Sequence, residues 1–329
     1  MMMEEEAELC FPQLNTSCWK TKRPRSHTLL FYTVLSWIFL LTVTLNLLVI
    51  VSISHFRQLR TPTNFLLLSL AVSDFFVGLV MLFQIMLING CWLLGDHMCT
   101  LYFALDYISS CTSIGIMLLI SVDRYLAICD PLHYTTKVTP KRVHVCVLLC
   151  WIYSLIYVSI VMNDDFKQPG RFKSCDGECV LNNNLIHQFT DFIFIFLIPI
   201  TVTMVLYVRV FVVAMAQARA MRSHIAAAPH LRSVTVTARK SEIKAARTLG
   251  VVILVFVLCI CPYFCVTVTG QNAVVSAYSA SFVLCLYYFN SCLNPLVYAL
   301  FHPWFRKSIK LILTLQILKP GSCEANMLH

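Results

Sequence analysis

Asp74, Asp106, Arg124 and Asp191 stand inside long apolar runs of the sequence. A charge in an apolar setting is costly, so such residues mark binding or switching sites that offer an opposite charge or hydrogen bonds. A lone carboxylate there breaks no bond; it holds a cation. Asp106 lies seven residues after Cys99, two helical turns or roughly 10 Å further along a helix. Asp191 lies eight residues before Pro199, about 12 Å along a second helix and near the level of Asp106 across a bundle. Two facing carboxylates left empty repel one another. An acid pairs less well with a phenol than with an ammonium, so the pattern favours a small molecule with two positive charges separated by roughly five methylenes, or a longer polyamine that bends. Against this stands a blander account, in which Asp191 is hydrated at the rim or paired with a loop residue such as Lys173.

Two further groups have switching chemistry. Asp123-Arg124-Tyr125 closes the third apolar run, and Glu242 precedes the sixth. An Arg so placed can pair with Glu242 when the helices are closed and release it when they open. Alternatively it reaches out to lipid headgroups. Asp74 shares its depth with Ser113, Asn290, Ser291 and Asn294. These groups can surround a small cation or form a hydrated network without one.

The elements that must position these residues are helices in a bilayer. Of 329 residues 58% are hydrophobic and 12% charged, and mean hydropathy is +0.75. A soluble chain of this length needs a more polar surface. A span needs roughly 20 mostly apolar residues, and seven stretches qualify: 28–54, 63–88, 98–126, 143–162, 185–213, 245–269 and 275–300. Residues 303–313 alternate apolar and basic groups at helical spacing, which suits a helix lying on the membrane face. The expected fold is an all-α membrane protein, a seven-helix bundle (28–302) between an N-terminal segment (1–27) and an amphipathic helix with a tail (303–329).

Lys and Arg cluster after the first, third, fifth and seventh runs, while Asp96, Asp164, Asp165, Asp176 and Glu178 mark the opposite segments. The predicted orientation has the N-terminus outside and the C-terminus inside the cell. Lys20, Lys22, Arg23 and Arg25 oppose it locally. The net charge of +9 follows this topology and argues against nucleic acid. The acidic opening Met1-Met2-Met3-Glu4-Glu5-Glu6 is unlike a cleavable signal, so the first span serves as signal and anchor. Asn15-Thr16-Ser17 is a glycosylation acceptor if the N-terminus is outside. Most of the sixteen cysteines sit in apolar runs as small hydrophobes; Cys18, Cys99, Cys175 and Cys179 lie in connecting segments.

Asn46, Leu70-Ala71-Val72-Ser73-Asp74, Asp123-Arg124-Tyr125, Trp151, Pro199, Phe256 through Pro262, and Asn294-Pro295-Leu296-Val297-Tyr298 occur in order. Together they resemble the rhodopsin-like G-protein-coupled receptors across residues 28–315. His55 through Asn64, Lys244 through Gly250, Asn290 through Pro295 and Pro303-Trp304-Phe305-Arg306-Lys307 look like the trace amine-associated receptors, although His302 replaces that family's aromatic. The resemblance implies a receptor for extracellular amines that activates a heterotrimeric G protein, of the stimulatory or olfactory kind, and so no enzyme. It implies that Asp106 is the amine anchor with Tyr288 donating to it, and that Ser110, Tyr263, Phe264 and Thr267 line the pocket with Asp191. Fish members that bind diamines through paired acids add weight to the two-charge reading. It assigns a sodium ion to Asp74, Ser113, Asn290 and Asn294, with no other cofactor, and adds Tyr207 and Tyr298 to the switch formed by Asp123, Arg124, Tyr125 and Glu242. It further implies the bridges Cys99–Cys179 and Cys18–Cys175, leaving Cys10 free.

The chain departs from the pattern at Leu45 (usually glycine), Leu82 (proline), and Ile260 and Cys285 (both tryptophan), which predicts an unconventional pocket floor. A monoamine-selective receptor is the nearest alternative. An amine transporter would also use a midplane carboxylate, but no internal repeat is apparent and the Asp-Arg-Tyr triplet has no role there. An intramembrane enzyme would need a nucleophile–base or metal cluster, and the spans offer none.

Overall fold

Pro62 and Pro140 each follow a threonine, and this pairing starts two of the helices. Thr61 accepts from the Asn64 amide at 3.2 Å and Thr139 from that of Arg142 at 3.4 Å. Each cap satisfies a donor the helix cannot, and proline at the first helical position loses nothing. The computed structural model describes residues 8–20, 24–181, 184–227, 234–269, 277–301 and 303–327. Its main helices are α1 (Arg25–His55), α2 (Pro62–Met86), α3 (Asp96–Cys129) and α4 (Pro140–Val161). Then come α5, α6 (Val234–Thr269), α7 (Ala277–Phe301) and α8 (Pro303–Leu313). Here α5 is one rod made of Leu185–Asp191, a π-helical turn Phe192–Leu197, and Ile198–Ala227.

That π turn has a local cause. Pro199 has no N–H, so the Ile195 carbonyl cannot be satisfied in the ordinary way. The wider turn re-aims everything before it, Asp191 included.

The helices pack in a ring: α1 on α2 and α7, α2 on α3, α3 on α4 and α5, α5 on α6, and α6 on α7. Core residues such as Leu70, Ile116, Ile253 and Phe256 face inward, whereas Trp37, Leu148, Leu149, Ile160 and Leu258 are exposed. Water would not tolerate so many outward apolar side chains; lipid does. Helices α1 to α5 each contain a stretch long and apolar enough to span a bilayer, and α6 and α7 contribute Ile253–Val268 and Ser281–Val297 among the described residues.

The hydrophilic residues 217–244, between the fifth and sixth apolar runs, are helical where described, for α5 runs to Ala227 and α6 begins at Val234. Its alanine, arginine and lysine content favours continuation of a helix beyond the apolar portion. The start of the seventh expected span, 275–276, lies outside the described residues.

Helix α8 buries Trp304, Phe305 and Ser308 while Arg306 and Lys307 face out, as its alternation predicts. The chain then folds back under the end of α1. His55 Nε2 meets Ser322 Oγ at 3.0 Å, Arg57 pairs with Glu324 at 3.0 Å, and the Met327 amide donates to Gln58 Oε1 at 2.9 Å. Met327 is 2% exposed in the main core.

Candidate functional site

Above the bundle, three disulfides tie together the N-terminal segment, the α2–α3 connection, the start of α3 and the α4–α5 connection. Cys99–Cys179 joins the start of α3 to the α4–α5 connection, and Cys18–Cys175 joins the N-terminal segment to that connection. The third overturns an expectation: Cys10 is bonded to Cys91. Cys91 lies just beyond the second apolar run, where Gly90 (φ 76°) turns the chain after α2 and delivers the thiol to the lid. Backbone bonds tighten the cover. The Cys18 amide donates to Asp176 O at 2.9 Å, the Asp176 amide to Thr16 O at 2.8 Å, and the Trp92 amide to Gly177 O at 2.7 Å. Gly177 has φ 101°, and a Cβ there would stand 3.0 Å from that of Cys10, so glycine is needed on both counts. Asn15 of the glycosylation acceptor is exposed on this lid.

Lys173 belongs to the lid and not to the acids below. It bonds Asp96 at 2.9 Å and Asp176 at 3.2 Å. Hydrogen bonding to Asp96 first, then to Asp176, holds its ammonium above the usual lysine range. The possibility that Lys173 neutralises Asp191 is therefore not realised.

One turn below Tyr102 on α3, Asp106 keeps Oδ1 sealed from solvent with no hydrogen-bond partner. Tyr102, Tyr263, Tyr287 and Tyr288 all lie within its electrostatic reach. Tyr288 is 1% exposed and its hydroxyl meets Tyr102 instead of donating to Asp106. Tyr102 in turn donates to Gln84 at 2.5 Å. Ser110, one turn below Asp106, bonds Tyr287, whose ring lies 4.5 Å from that of Tyr263. The result is a tyrosine-lined chamber around an unpaired carboxylate, and phenol rings attract a cation through their faces.

Asp191 is differently furnished. Tyr107 of α3 donates to Oδ2 at 3.1 Å and Tyr157 of α4 to Oδ1 at 2.5 Å. Cys111 and Tyr263 lie within reach of both acids, so the two carboxylates share one region. Below it, Phe264 stacks on Phe196 with centroids 4.7 Å apart, and Ile260, 4% exposed, belongs to the same buried cluster. Thr267 spends its hydroxyl on the Phe264 carbonyl at 2.9 Å. Cys285 packs among the aromatics of α7. Tyr107, Tyr157 and Tyr287 were not among the residues expected from sequence. Their signal was there: a buried phenol needs a partner, and Tyr107 directly follows Asp106.

At mid-bundle Asp74 is fully buried and accepts from Ser113 Oγ at 2.9 Å and Asn294 Nδ2 at 2.8 Å. Ser73 and Ser113 share a bond at 2.9 Å, Ser291 also hydrogen-bonds Asp74, and Asn290 is 5% exposed. Asn46 ties α1 to α7 through the Ser291 carbonyl at 3.0 Å. Thr42 Oγ1 and Asn46 Oδ1 are buried oxygens without partners. The Asp74 carboxylate and the Ser113 hydroxyl are hard-oxygen donors of the kind that suit a sodium ion.

At the far end Arg124 pairs with Asp123 on its own helix and donates to Thr63 Oγ1 at 2.9 Å. Thr63 and Tyr134 also bind Asp123, at 3.1 and 2.8 Å. Thr63 and Tyr134 are partners that the sequence did not suggest. Glu242 is part of α6 and Tyr298 of α7, and their side chains lie outside the described residues. Tyr125 packs on Ile128, Val210 and Ala214. The phenol end of Tyr207 meets α6 at Gly250: a Cβ there would fall 1.6 Å from its hydroxyl.

Residues 45–298 match the family described as 7 transmembrane receptor (rhodopsin family). Among curated proteins, the chain is 36% identical to trace amine-associated receptor 13c of Danio rerio, over 98% of this chain and 97% of that one. It is 34% identical to trace amine-associated receptor 4 of Mus musculus, over 98% and 96%. It is 38% identical to trace amine-associated receptor 8c of Rattus norvegicus, over 97% and 96%.

Proposed function

The chain belongs to the trace amine-associated receptors of the rhodopsin family, and from that membership we propose that it binds diamines or polyamines between Asp106 and Asp191. The N-terminal lid faces outside the cell. The cytoplasmic end couples to a stimulatory or olfactory G protein, in a chemosensory role. Asp106 anchors one ammonium, Asp191 receives the second, and Tyr263 and Tyr287 face the chain between them.

One observation carries this reading: Asp106 Oδ1 is buried without a partner, and it shares its tyrosine-lined region with a second acid that receives two phenol hydrogen bonds and has His187 within electrostatic reach. An unpaired buried carboxylate is destabilising by itself, so a cationic ligand would offset that cost on arrival. A sodium ion held by Asp74 and Ser113, with Asn290 and Asn294 beside them, would favour the resting receptor.

A monoamine-selective receptor is the second reading, and the two phenol hydrogen bonds that Asp191 already receives, from Tyr107 and Tyr157, favour it. A cyclic-nucleotide assay in transfected cells separates the two. Wild type should answer to cadaverine-length diamines, and Asp191→Ala should cost diamine potency far more than monoamine potency. A wild type that answers phenylethylamine or tyramine and ignores every diamine and polyamine rejects the two-charge reading.

A further inference from the structure

Asp191 is the acid whose geometry is over-determined. Its oxygens are held from two different helices, Oδ2 by Tyr107 on α3 and Oδ1 by Tyr157 on α4. A free aspartate on a helix rotates about two bonds, and its carboxylate sweeps an arc. Two donors from separate directions remove that freedom and fix the carboxylate plane. The tyrosines themselves are braced. Tyr157 stacks on Tyr153 with centroids 6.0 Å apart and an interplanar angle of 26°, and both clamp rings pack against the cluster of Ala104, Val158 and Met162.

We propose that Tyr107 and Tyr157 are positioning residues that hold Asp191 at a fixed separation from Asp106 and so set the length of dication the receptor accepts. The proposal rests on the two-acid reading above. Tyr107 directly follows Asp106 on α3. The distance between the acids is therefore spanned by one rigid side chain rooted beside the first of them. An ionised carboxylate offers about four lone-pair sites. Two phenols leave the remainder for an ammonium, so the clamp orients Asp191 without filling it. The π turn Phe192–Leu197 belongs to the same device, because it begins immediately after Asp191 and sets the face on which that acid emerges.

The test uses Tyr107→Phe, Tyr157→Phe and the double variant in transfected cells. The ligands are linear diamines with three to eight methylenes, with pentylamine as the single-charge control, and responses are normalised to surface-labelled receptor. Each lost hydroxyl should cost about tenfold in potency for the best diamine, the order expected for a hydrogen bond to a charged group. The length profile should also flatten, because a carboxylate free to swing serves several spacings. Pentylamine should shift much less. If Tyr157→Phe fails to reach the surface, Tyr107→Phe, which gives up the longer bond, decides. Equal losses for diamine and monoamine, or an unchanged length profile, would mean that the phenols only satisfy a buried acid, and the proposal falls. A wild type blind to all diamines sinks the two-acid reading and the clamp together; a diamine-responsive wild type with unaltered variants sinks the clamp alone.

Discussion

Asp106→Asn tests the site at the atom on which it depends. The side chains are nearly isosteric, so packing among the surrounding tyrosines is kept and the negative charge is removed. At about 4 Å and an effective dielectric constant of ~20, a carboxylate–ammonium pair is worth about 4 kcal/mol. The amide retains a neutral hydrogen bond worth about 1 kcal/mol. The remaining loss of about 3 kcal/mol corresponds to a potency drop of roughly a hundred- to two-hundredfold for every amine. The ligand-free protein should respond in the opposite sense. Asp106 Oδ1 has no partner, and an unsatisfied buried charge is destabilising, so the variant should unfold at a higher temperature when empty. The assay is a cyclic-nucleotide dose–response series, with surface labelling, beside thermal unfolding of purified receptor with and without amine. Potency kept within about threefold of wild type is less than half of one charge-assisted bond, and it would refute Asp106 as the anchor.

Removing Glu242 should raise ligand-free signalling in a cyclic-nucleotide assay; no change would mean that Asp123 and Thr63 suffice to hold Arg124, and Thr63→Ala should then raise it instead. Peptide mapping without reduction should recover Cys10 linked to Cys91, Cys18 to Cys175 and Cys99 to Cys179, and a free Cys10 or a Cys10–Cys175 peptide would contradict the lid. Gly250→Ala should lower the melting temperature, since overpacking costs about 1–3 kcal/mol, and Tyr207→Ala in the same chain should restore it; an unaffected single variant would show that Tyr207 does not rest on Gly250. Met327→Glu should increase hydrogen exchange at residues 55–60, because the tail that covers them loses its buried anchor, and unchanged protection there would argue against the fold-back.

Hydrophobic run length and basic-residue asymmetry made the helical bundle legible, because a bilayer demands both whatever the tertiary detail. The depth of Asp74, Asp106 and Asp191 within their runs was likewise readable, since helical rise converts residue count directly into distance. The ends of α5 and α6 were not, because hydropathy marks where lipid stops and not where the helix stops. Tertiary structure alone decided the partners. Asp191 meets Tyr107 and Tyr157 because a π turn rotates its face and two other helices bring their phenols to it. Tyr288 meets Tyr102 and leaves Asp106 bare. Cys10 meets Cys91 because a left-handed glycine turns the chain at the top of α2. Spacing along one helix fixes height and azimuth on that helix; which side chain stands opposite depends on how neighbouring helices are rotated and offset, and that is set by packing over the whole bundle.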